Sequence, residues 1–231
     1  MTFAFAHRGG VDSGAPQNTL AAFADALSRG GDLESDVRLA ADGVPVLVHD
    51  AVWVSGPWPV VTAALPSGVL GRVGVCTLAE LFRELGSDFE LSLDLKAPRA
   101  IGPLLEVLRK AGSRERTWLT HDDLGLLGRV RAADEVVRLA HEAPLGRIRK
   151  AGRSGPEHVA LLAALRIDAQ NTTWTGWSPE LLAVAREHGV QAFGSLAQTT
   201  AELADAASRG LDGIYSDHVA DLQAALRAAR G

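Results

Sequence analysis

His7 and Arg8, Glu34 and Asp36, His49, and Asp94 with Lys96 are the residues of this chain whose types and spacing could do chemistry together. Glu34 and Asp36 stand two apart, with Leu33, Ser35 and Val37 at the alternate positions. On a strand that spacing puts both carboxylates on one face, roughly 7 Å apart at the backbone and within reach of one cation. Leu91, Leu93 and Leu95 likewise leave Ser92, Asp94 and Lys96 on the opposite face. An acid and a lysine facing inward on a buried strand are costly unless paired or bound to something. Oxygen ligands alone select a hard cation, Mg²⁺ or Ca²⁺, over zinc. Arg8 and Lys96 beside such a cation would hold an oxyanion such as phosphate, and two histidines can serve as general base and general acid. The residues thus point to metal-assisted cleavage of a phosphate ester. Singly, each has a plainer reading: a Glu-x-Asp on a solvated face, a structural histidine, a lysine that merely pairs with Asp94. Their convergence at the ends of the first three strands carries the argument.

Short apolar stretches alternating with helical patterns must position these groups. Strands are predicted at Phe3–Ala6, Leu33–Leu39, Phe89–Leu95, Thr117–Thr120, Val136–Ala140, Ile167–Ala169, Val190–Gly194 and Gly213–Tyr215, with a further extended piece at Val44–Val48 after the Asp42-Gly43 turn. Helices are predicted at Leu20–Leu27, capped by Asn18 or Thr19, at Thr77–Leu85 with a Thr77/Glu80 capping box, and at Ile101–Lys110. Others fall near 123–131, 157–164, 179–188 and 200–208, and a last one runs from Asp217, as its cap, to Arg227. About eight β-then-α units in 231 residues approach the roughly 250 typical of a (β/α)₈ TIM-type barrel. An open doubly wound sheet is disfavoured, since no Gly-x-Gly-x-x-Gly or Walker loop opens a helix. No linker divides the chain, so residues 1–231 read as one domain. An irregular insertion after the second strand, 51–75, carries Trp53, Trp58 and three prolines. It reads either as a lid or as a hairpin on the barrel rim.

Composition bounds the function. With 47% hydrophobic residues and a net charge of −5, the chain is neither disordered nor a general nucleic-acid binder. A single cysteine, Cys76, excludes an intramolecular disulfide framework and a Cys-based metal cluster. No apolar run approaches the roughly 20 residues that span a bilayer. The N-terminus lacks a signal-peptide pattern, so a cytoplasmic protein is expected, without stable membrane insertion.

The string His7-Arg8-Gly9, Pro16-Gln17-Asn18-Thr19-Leu20-Ala21-Ala22-Phe23, Glu34-Ser35-Asp36-Val37, Asp42-Gly43 and His49-Asp50 resembles the glycerophosphodiester phosphodiesterase family. Leu93-Asp94-Leu95-Lys96 and Gly210 to Asp217 are weaker matches. The resemblance implies a (β/α)₈ barrel that hydrolyses a small-molecule glycerophosphodiester to an alcohol and glycerol 3-phosphate, a reaction of lipid metabolism. It implies Glu34, Asp36 and Asp94 as ligands of one divalent cation, Mg²⁺ or Ca²⁺. His7 and His49 become the acid–base pair, and Arg8 and Lys96 hold the phosphate. The implied path is attack by the neighbouring glycerol hydroxyl, followed by hydrolysis of a cyclic phosphate.

The chain also departs from the family. Gln17 and Asp94 stand where Glu is usual, and the Asp94 side chain is shorter by roughly one C–C bond, 1.5 Å. Ala51-Val52-Trp53 replaces a Leu-x-Arg-Thr-Thr run, and Phe193-Gly194-Ser195 replaces a Trp-Thr-x-Asn motif. Candidate substrate-pocket residues are Trp53, His121, Trp174 and Phe193. Trp53, Trp58, Trp174 and Trp177 could form an aromatic wall for a choline-like group, or simply pack loops. Arg147, Arg149, Lys150 and Arg153 read as a solvated basic loop. Two alternatives remain: a related phosphodiesterase acting on a lipid, with 51–75 making interfacial contact, and a catalytically weak barrel that binds a phosphorylated ligand.

Overall fold

In the computed structural model, which describes residues 2–230, the strands and helices alternate as expected. The strands are β1 (Phe3–Ala6), β2 (Asp32–Leu39), β3 (Pro45–Leu47), β4 (Val52–Ser55), β5 (Trp58–Val61), β6 (Leu91–Leu95), β7 (Thr117–His121), β8 (Arg138–Glu142), β9 (Ala169–Thr173), β10 (Gln191–Ser195) and β11 (Gly213–Ser216). The helices are α1 (Leu20–Ser28), α2 (Ser67–Gly71), α3 (Leu78–Leu85), α4 (Ile101–Ala111), α5 (Leu124–Ala133), α6 (Leu145–Lys150), α7 (Gly155–Ala164), α8 (Pro179–Glu187), α9 (Thr200–Ser208) and α10 (Val219–Ala228). Strands β1, β2 and β6 to β11 pair in parallel, and β1 closes on both β2 and β11. The result is an eight-stranded (β/α)₈ barrel with helices between its strands. Strand β3 pairs antiparallel with the end of β2. Among the described residues no helix is long and apolar enough to cross a membrane.

Strand alternation sorts the two cores. Leu33, Val37, Leu91, Leu93 and Leu95 face outward into the layer beneath the helices and are at most 1% exposed. Phe5, Trp118, Ala140, Ala169, Phe193 and Tyr215 face inward and fill the floor of the barrel. Trp118 and Phe193 meet edge to face at 4.8 Å, while Phe5 stacks on Tyr215 at 4.7 Å. Helix α3 begins with the expected Thr77/Glu80 capping box. Helix α1 is capped by Thr19. Asn18 instead adopts φ +58° and turns its amide inward, where its Oδ1 accepts from Ser35 Oγ at 2.7 Å.

Three differences from the sequence expectations bear on the site. β8 and β9 run on to Glu142 and Thr173, two and four residues past the predicted ends, because their last residues are polar and carry no hydrophobic period. Arg147, Arg149 and Lys150 lie on the short helix α6, not in a loop. Segment 51–75 forms the β4–β5 hairpin, a 3₁₀ turn and α2, anchored by Val60, Leu70 and Val75 against Ala40 and Val46.

Candidate active site

The turn after β1 sets the geometry. Arg8 sits at φ +54°, followed by Gly9 at +85° and Gly10 at +75°. A Cβ on Gly9 would lie 2.8 Å from Ala22 Cβ, and one on Gly10 would lie 2.9 Å from the Asp217 carbonyl oxygen, so side chains are excluded at both positions. This turn aims the Arg8 backbone N–H at Glu34, donating to Oε2 at 2.8 Å.

Strand register brings the acids together. β2 and β6 pair with Glu34 opposite Ser92 and Asp36 opposite Asp94. Glu34 and Asp36 are 5% and 2% exposed, and one oxygen from each of Glu34, Asp36 and Asp94 lies within 4.8 Å of the others. Burial, then the charges of Asp36 and Asp94, hold the Glu34 carboxyl well above the ordinary carboxylate range. Burial also raises Asp94, against the pull of Lys96. Two buried carboxylates and a half-buried third whose like charges oppose one another, with oxygen donors only, fit a hard divalent cation. The shorter Asp94 still reaches the cluster.

The cations of the site sit on these acids. Lys96 Nζ donates to Asp94 Oδ2 at 2.8 Å and lies 3.3 Å from Asp36 Oδ1. Burial opposes its charge, but the two carboxylates outweigh that and raise its pKa. Arg8 Nε lies 3.2 Å from Asp36 Oδ2 without hydrogen-bond geometry, so this buried donor is unsatisfied. Both cations are therefore placed for an anion bound above the acids.

Each histidine is held through one ring nitrogen. His7 Nδ1 lies 2.8 Å from Asp217 Oδ1, and His49 Nδ1 lies 2.8 Å from Asp50 Oδ1. The Arg38 Nε–H donates to the His49 carbonyl at 2.8 Å, fixing that loop. Asp217 is not the cap of α10, a position that His218 occupies. Its Oδ1 also accepts from Gln17 Nε2 at 3.1 Å and its Oδ2 from Gln198 Nε2 at 2.9 Å. The hydrogen bond from His7, foremost, holds the Asp217 carboxyl below its ordinary range. Gln17 thus serves the site by donating to Asp217, a role that a glutamate could not fill in the same way.

His7, Arg8, Glu34, Asp36, His49, Asp94 and Lys96 all line one cavity of about 330 Å³ at the C-terminal mouth of the barrel. Two side hollows open from it. One shares Asp94 and Lys96 and reaches His121 and Arg147; the other shares Arg8 and His49 and reaches Trp53. The remaining pocket candidates lie elsewhere. Phe193 is fully buried in the barrel floor, and Trp174 is 8% exposed beneath the Arg209 guanidinium. Trp177 is buried and donates its indole N–H to the Phe193 carbonyl, while Trp58 is 73% exposed on the hairpin. Among the described residues, no aromatic wall surrounds the cavity.

Sequence reasoning did not single out Gln198, Glu142 or Asn171 and took Asp217 for a helix cap; Asn171 stands within β9, Glu142 at the end of β8, and the other two in the loops after their strands. Burial, then repulsion from Asp94, pushes the Glu142 carboxyl up to about 7. The available signal was position alone, a polar residue where a barrel strand enters its loop.

Comparison with known proteins identifies the family and agrees with the barrel fold. Residues 7–221 match the Glycerophosphoryl diester phosphodiesterase family. The glycerophosphodiester phosphodiesterase of Caldanaerobacter subterraneus subsp. tengcongensis is 25% identical over 239 residues, covering 94% of each chain. The crystal structure of the Thermotoga maritima glycerophosphodiester phosphodiesterase superposes with a TM-score of 0.82 at 22% identity, over 98% of this chain and 99% of that one. An Oleispira antarctica phosphodiesterase, solved with the product sn-glycerol-3-phosphate, gives 0.81 at 20% identity, over 98% and 97%. With a match running from the first histidine to the last helix, the chain belongs to the glycerophosphoryl diester phosphodiesterase family of phosphoric diester hydrolases.

Proposed function

We propose that this cavity hydrolyses small-molecule glycerophosphodiesters to an alcohol and glycerol 3-phosphate, with one divalent cation, Mg²⁺ or Ca²⁺, held by Glu34, Asp36 and Asp94. Such a cation supplies charge neutralisation and polarises the phosphoryl oxygens. The chain's own groups supply the rest. Arg8 and Lys96 bind the phosphate oxygens. Asp217 and Asp50 fix His7 and His49 through Nδ1, leaving each Nε2 for proton transfer. One imidazole takes the proton of the attacking glycerol hydroxyl as the new P–O bond forms. The other gives its proton to the alcohol oxygen as the old P–O bond breaks. Water then opens the cyclic phosphate with the two roles reversed. The observation that carries this reading is the pair of carboxylate-held histidines in the same cavity as a largely buried three-acid cluster.

The test is release of glycerol 3-phosphate from a panel of glycerophosphodiesters with Mg²⁺, with Ca²⁺ and with chelator, for wild type, His7→Ala and His49→Ala. Metal-dependent release lost in both variants supports the reading. No release from folded, metal-saturated wild type would sink it and leave a phosphate-ligand-binding barrel. A second reading, a lipid diester cleaved at an interface, is favoured by one observation. The β4–β5 hairpin, which carries Trp53 and follows His49 in the chain, exposes Val52, Val54 and Trp58 at 59%, 72% and 73%. Co-sedimentation with phospholipid vesicles, compared between wild type and Trp58→Ser, separates the two.

A further inference from the structure

Opposite the acidic cluster, the wall of the cavity built by β8 and β9 carries polar groups with nothing to bind. Glu142 and Asn171 are direct partners in the β8–β9 register. Ala140 and Ala169, two residues earlier on each strand, belong to the inward-facing floor, so Glu142 and Asn171 face the cavity one layer above it. Both line it, and Glu142 also lines the hollow that opens toward His121. Glu142 is half-buried, and among the described residues its carboxylate makes no hydrogen bond or close ion pair, although the Lys96 charge acts on it. Asn171 is 6% exposed, and its Oδ1 is buried without a partner.

The other carboxylates of the cavity have partners. Glu34 takes the Arg8 N–H, and Asp36 and Asp94 face Lys96; Asp217, behind His7, is likewise engaged. Glu142 is therefore a carboxylate acceptor in the cavity wall whose burial the Lys96 charge offsets only in part, and beside it Asn171 carries an unpartnered Oδ1 acceptor along with its amide donor. Their complement is a ligand group that donates hydrogen bonds. A trimethylammonium group has no N–H and is held by aromatic faces. Tyr215 is the aromatic residue lining this cavity, and its hydroxyl is engaged with Ser92 Oγ at 3.0 Å.

We propose that Glu142 and Asn171 form the subsite for the alcohol half of the diester and select alcohols bearing hydrogen-bond donors, a primary ammonium or hydroxyls, over trimethylammonium alcohols. The proposal rests on the reading of the cavity as a glycerophosphodiester site and names which diesters it takes. The experiment measures kcat and KM of the Mg²⁺-loaded enzyme on glycerophosphoethanolamine, glycerophosphoglycerol and glycerophosphocholine, for wild type, Glu142→Gln and Asn171→Ala. Wild type should favour the first two over the choline diester by about tenfold or more in kcat/KM. Each variant should cut that preference at least fivefold, mainly through KM. A larger loss on the ethanolamine diester than on the glycerol diester in Glu142→Gln assigns the subsite to an ammonium; equal losses assign it to hydroxyls.

A wild type that cleaves these diesters without the preference overturns the inference alone. So does a variant that lowers all three substrates equally, because Glu142 would then touch the shared glycerol half or act structurally. Melting temperature separates those two cases, since a structural Glu142 lowers it. No cleavage of any of the three overturns the inference together with the reading beneath it.

Discussion

Asp217→Asn is the substitution that tests the histidine arrangement most directly. Asp217 receives three donors: His7 Nδ1 at 2.8 Å and Gln17 Nε2 at 3.1 Å on Oδ1, and Gln198 Nε2 at 2.9 Å on Oδ2. Gln198 cannot turn its amide over freely, because its Oε1 accepts from the Asp217 backbone N–H at 3.0 Å and from Ser216 Oγ at 3.2 Å. An asparagine has one acceptor for these three donors. With its oxygen toward His7, its amide meets Gln198 donor to donor. Reversed, its amide opposes the His7 Nδ1–H and forces the wrong tautomer. A charge-assisted hydrogen bond is worth about 1.5–3 kcal/mol, and the pair is only partly shielded, with side chains 35% and 27% exposed. If the bond strengthens as His7 gains its proton, its loss appears in kcat as roughly a 10- to 150-fold decrease. The assay is steady-state release of glycerol 3-phosphate by metal-saturated enzyme, with KM and melting temperature measured alongside. KM should change by less than about threefold, and Gln17→Ala, which leaves the His7 bond in place, should cost less than about fivefold. A kcat within twofold of wild type would refute the reasoning, as would a loss of the same size in Gln17→Ala.

Other outcomes follow from the same geometry. Mg²⁺ or Ca²⁺ at 100 times its Kd should stabilise the protein by about 2.7 kcal/mol. That corresponds to about 5–10 °C in melting temperature for a domain of this size, and Asp36→Ala should abolish it; a wild type that does not shift with either cation removes the metal reading. Glu142 has its pKa raised to about 7, above its unfolded value near 4.5, so its ionisation costs the metal-free fold stability as pH rises between those values. Thermal melts should show Glu142→Gln equal to wild type near pH 4.5 and more stable by about 1–3 kcal/mol above pH 7, a gap that a paired carboxylate would not produce. Gly10→Ala meets both a left-handed φ and the Asp217 carbonyl, and should cost about 2–4 kcal/mol. Gly14→Ala, at φ +70° but in open space, should cost only about 1 kcal/mol, and equal melting temperatures for the two would contradict the close-approach argument.

The parts of the fold legible in the sequence were those with an apolar period. Leu33-Glu34-Ser35-Asp36-Val37 and Leu91-Ser92-Leu93-Asp94-Leu95 alternate cleanly, so both the strands and the inward direction of their acids could be read, and the register then set Asp36 beside Asp94. β9 is the opposite case. Its residues Ala169-Gln170-Asn171-Thr172-Thr173 have no hydrophobic face on either side, because its outward Gln170 donates to the carbonyls of Ala143 and Asn171 instead of packing in the apolar layer. Polar strand ends hid Glu142 and Asn171 for that reason. Asp217 was hidden differently, by standing two residues before an apolar helix, where a cap is the ordinary use of an aspartate. Its contact with His7 spans almost the whole chain and exists only because β1 pairs with β11 to close the barrel.

That closure also explains how the site is held together. Strand β1 touches β2 on one side and β11 on the other, and the His7-Arg8 turn leans on both neighbours: Arg8 N–H on Glu34, His7 on Asp217. Glu34 of the acidic cluster and Asp217, which holds His7, are thus fixed against one tight turn, whose Gly9 and Gly10 leave no room for a side chain. By contrast His49 enters on the loop after β3, outside the parallel barrel, and its partner Asp50 is 62% exposed. The two histidines therefore differ in how they are anchored. His7 belongs to the barrel wall, whereas His49 belongs to the rim segment that continues into the β4–β5 hairpin. Movement of that segment, against the Arg38 bond to the His49 carbonyl, would open and close the cavity on the His49 side while Glu34, Asp36, Asp94, His7, Arg8 and Lys96 stay in place. Cross-linking the hairpin to the rim should then slow substrate entry or product release without changing single-turnover chemistry. An equal slowing of the chemical step would show that His49 is positioned by the hairpin rather than merely next to it.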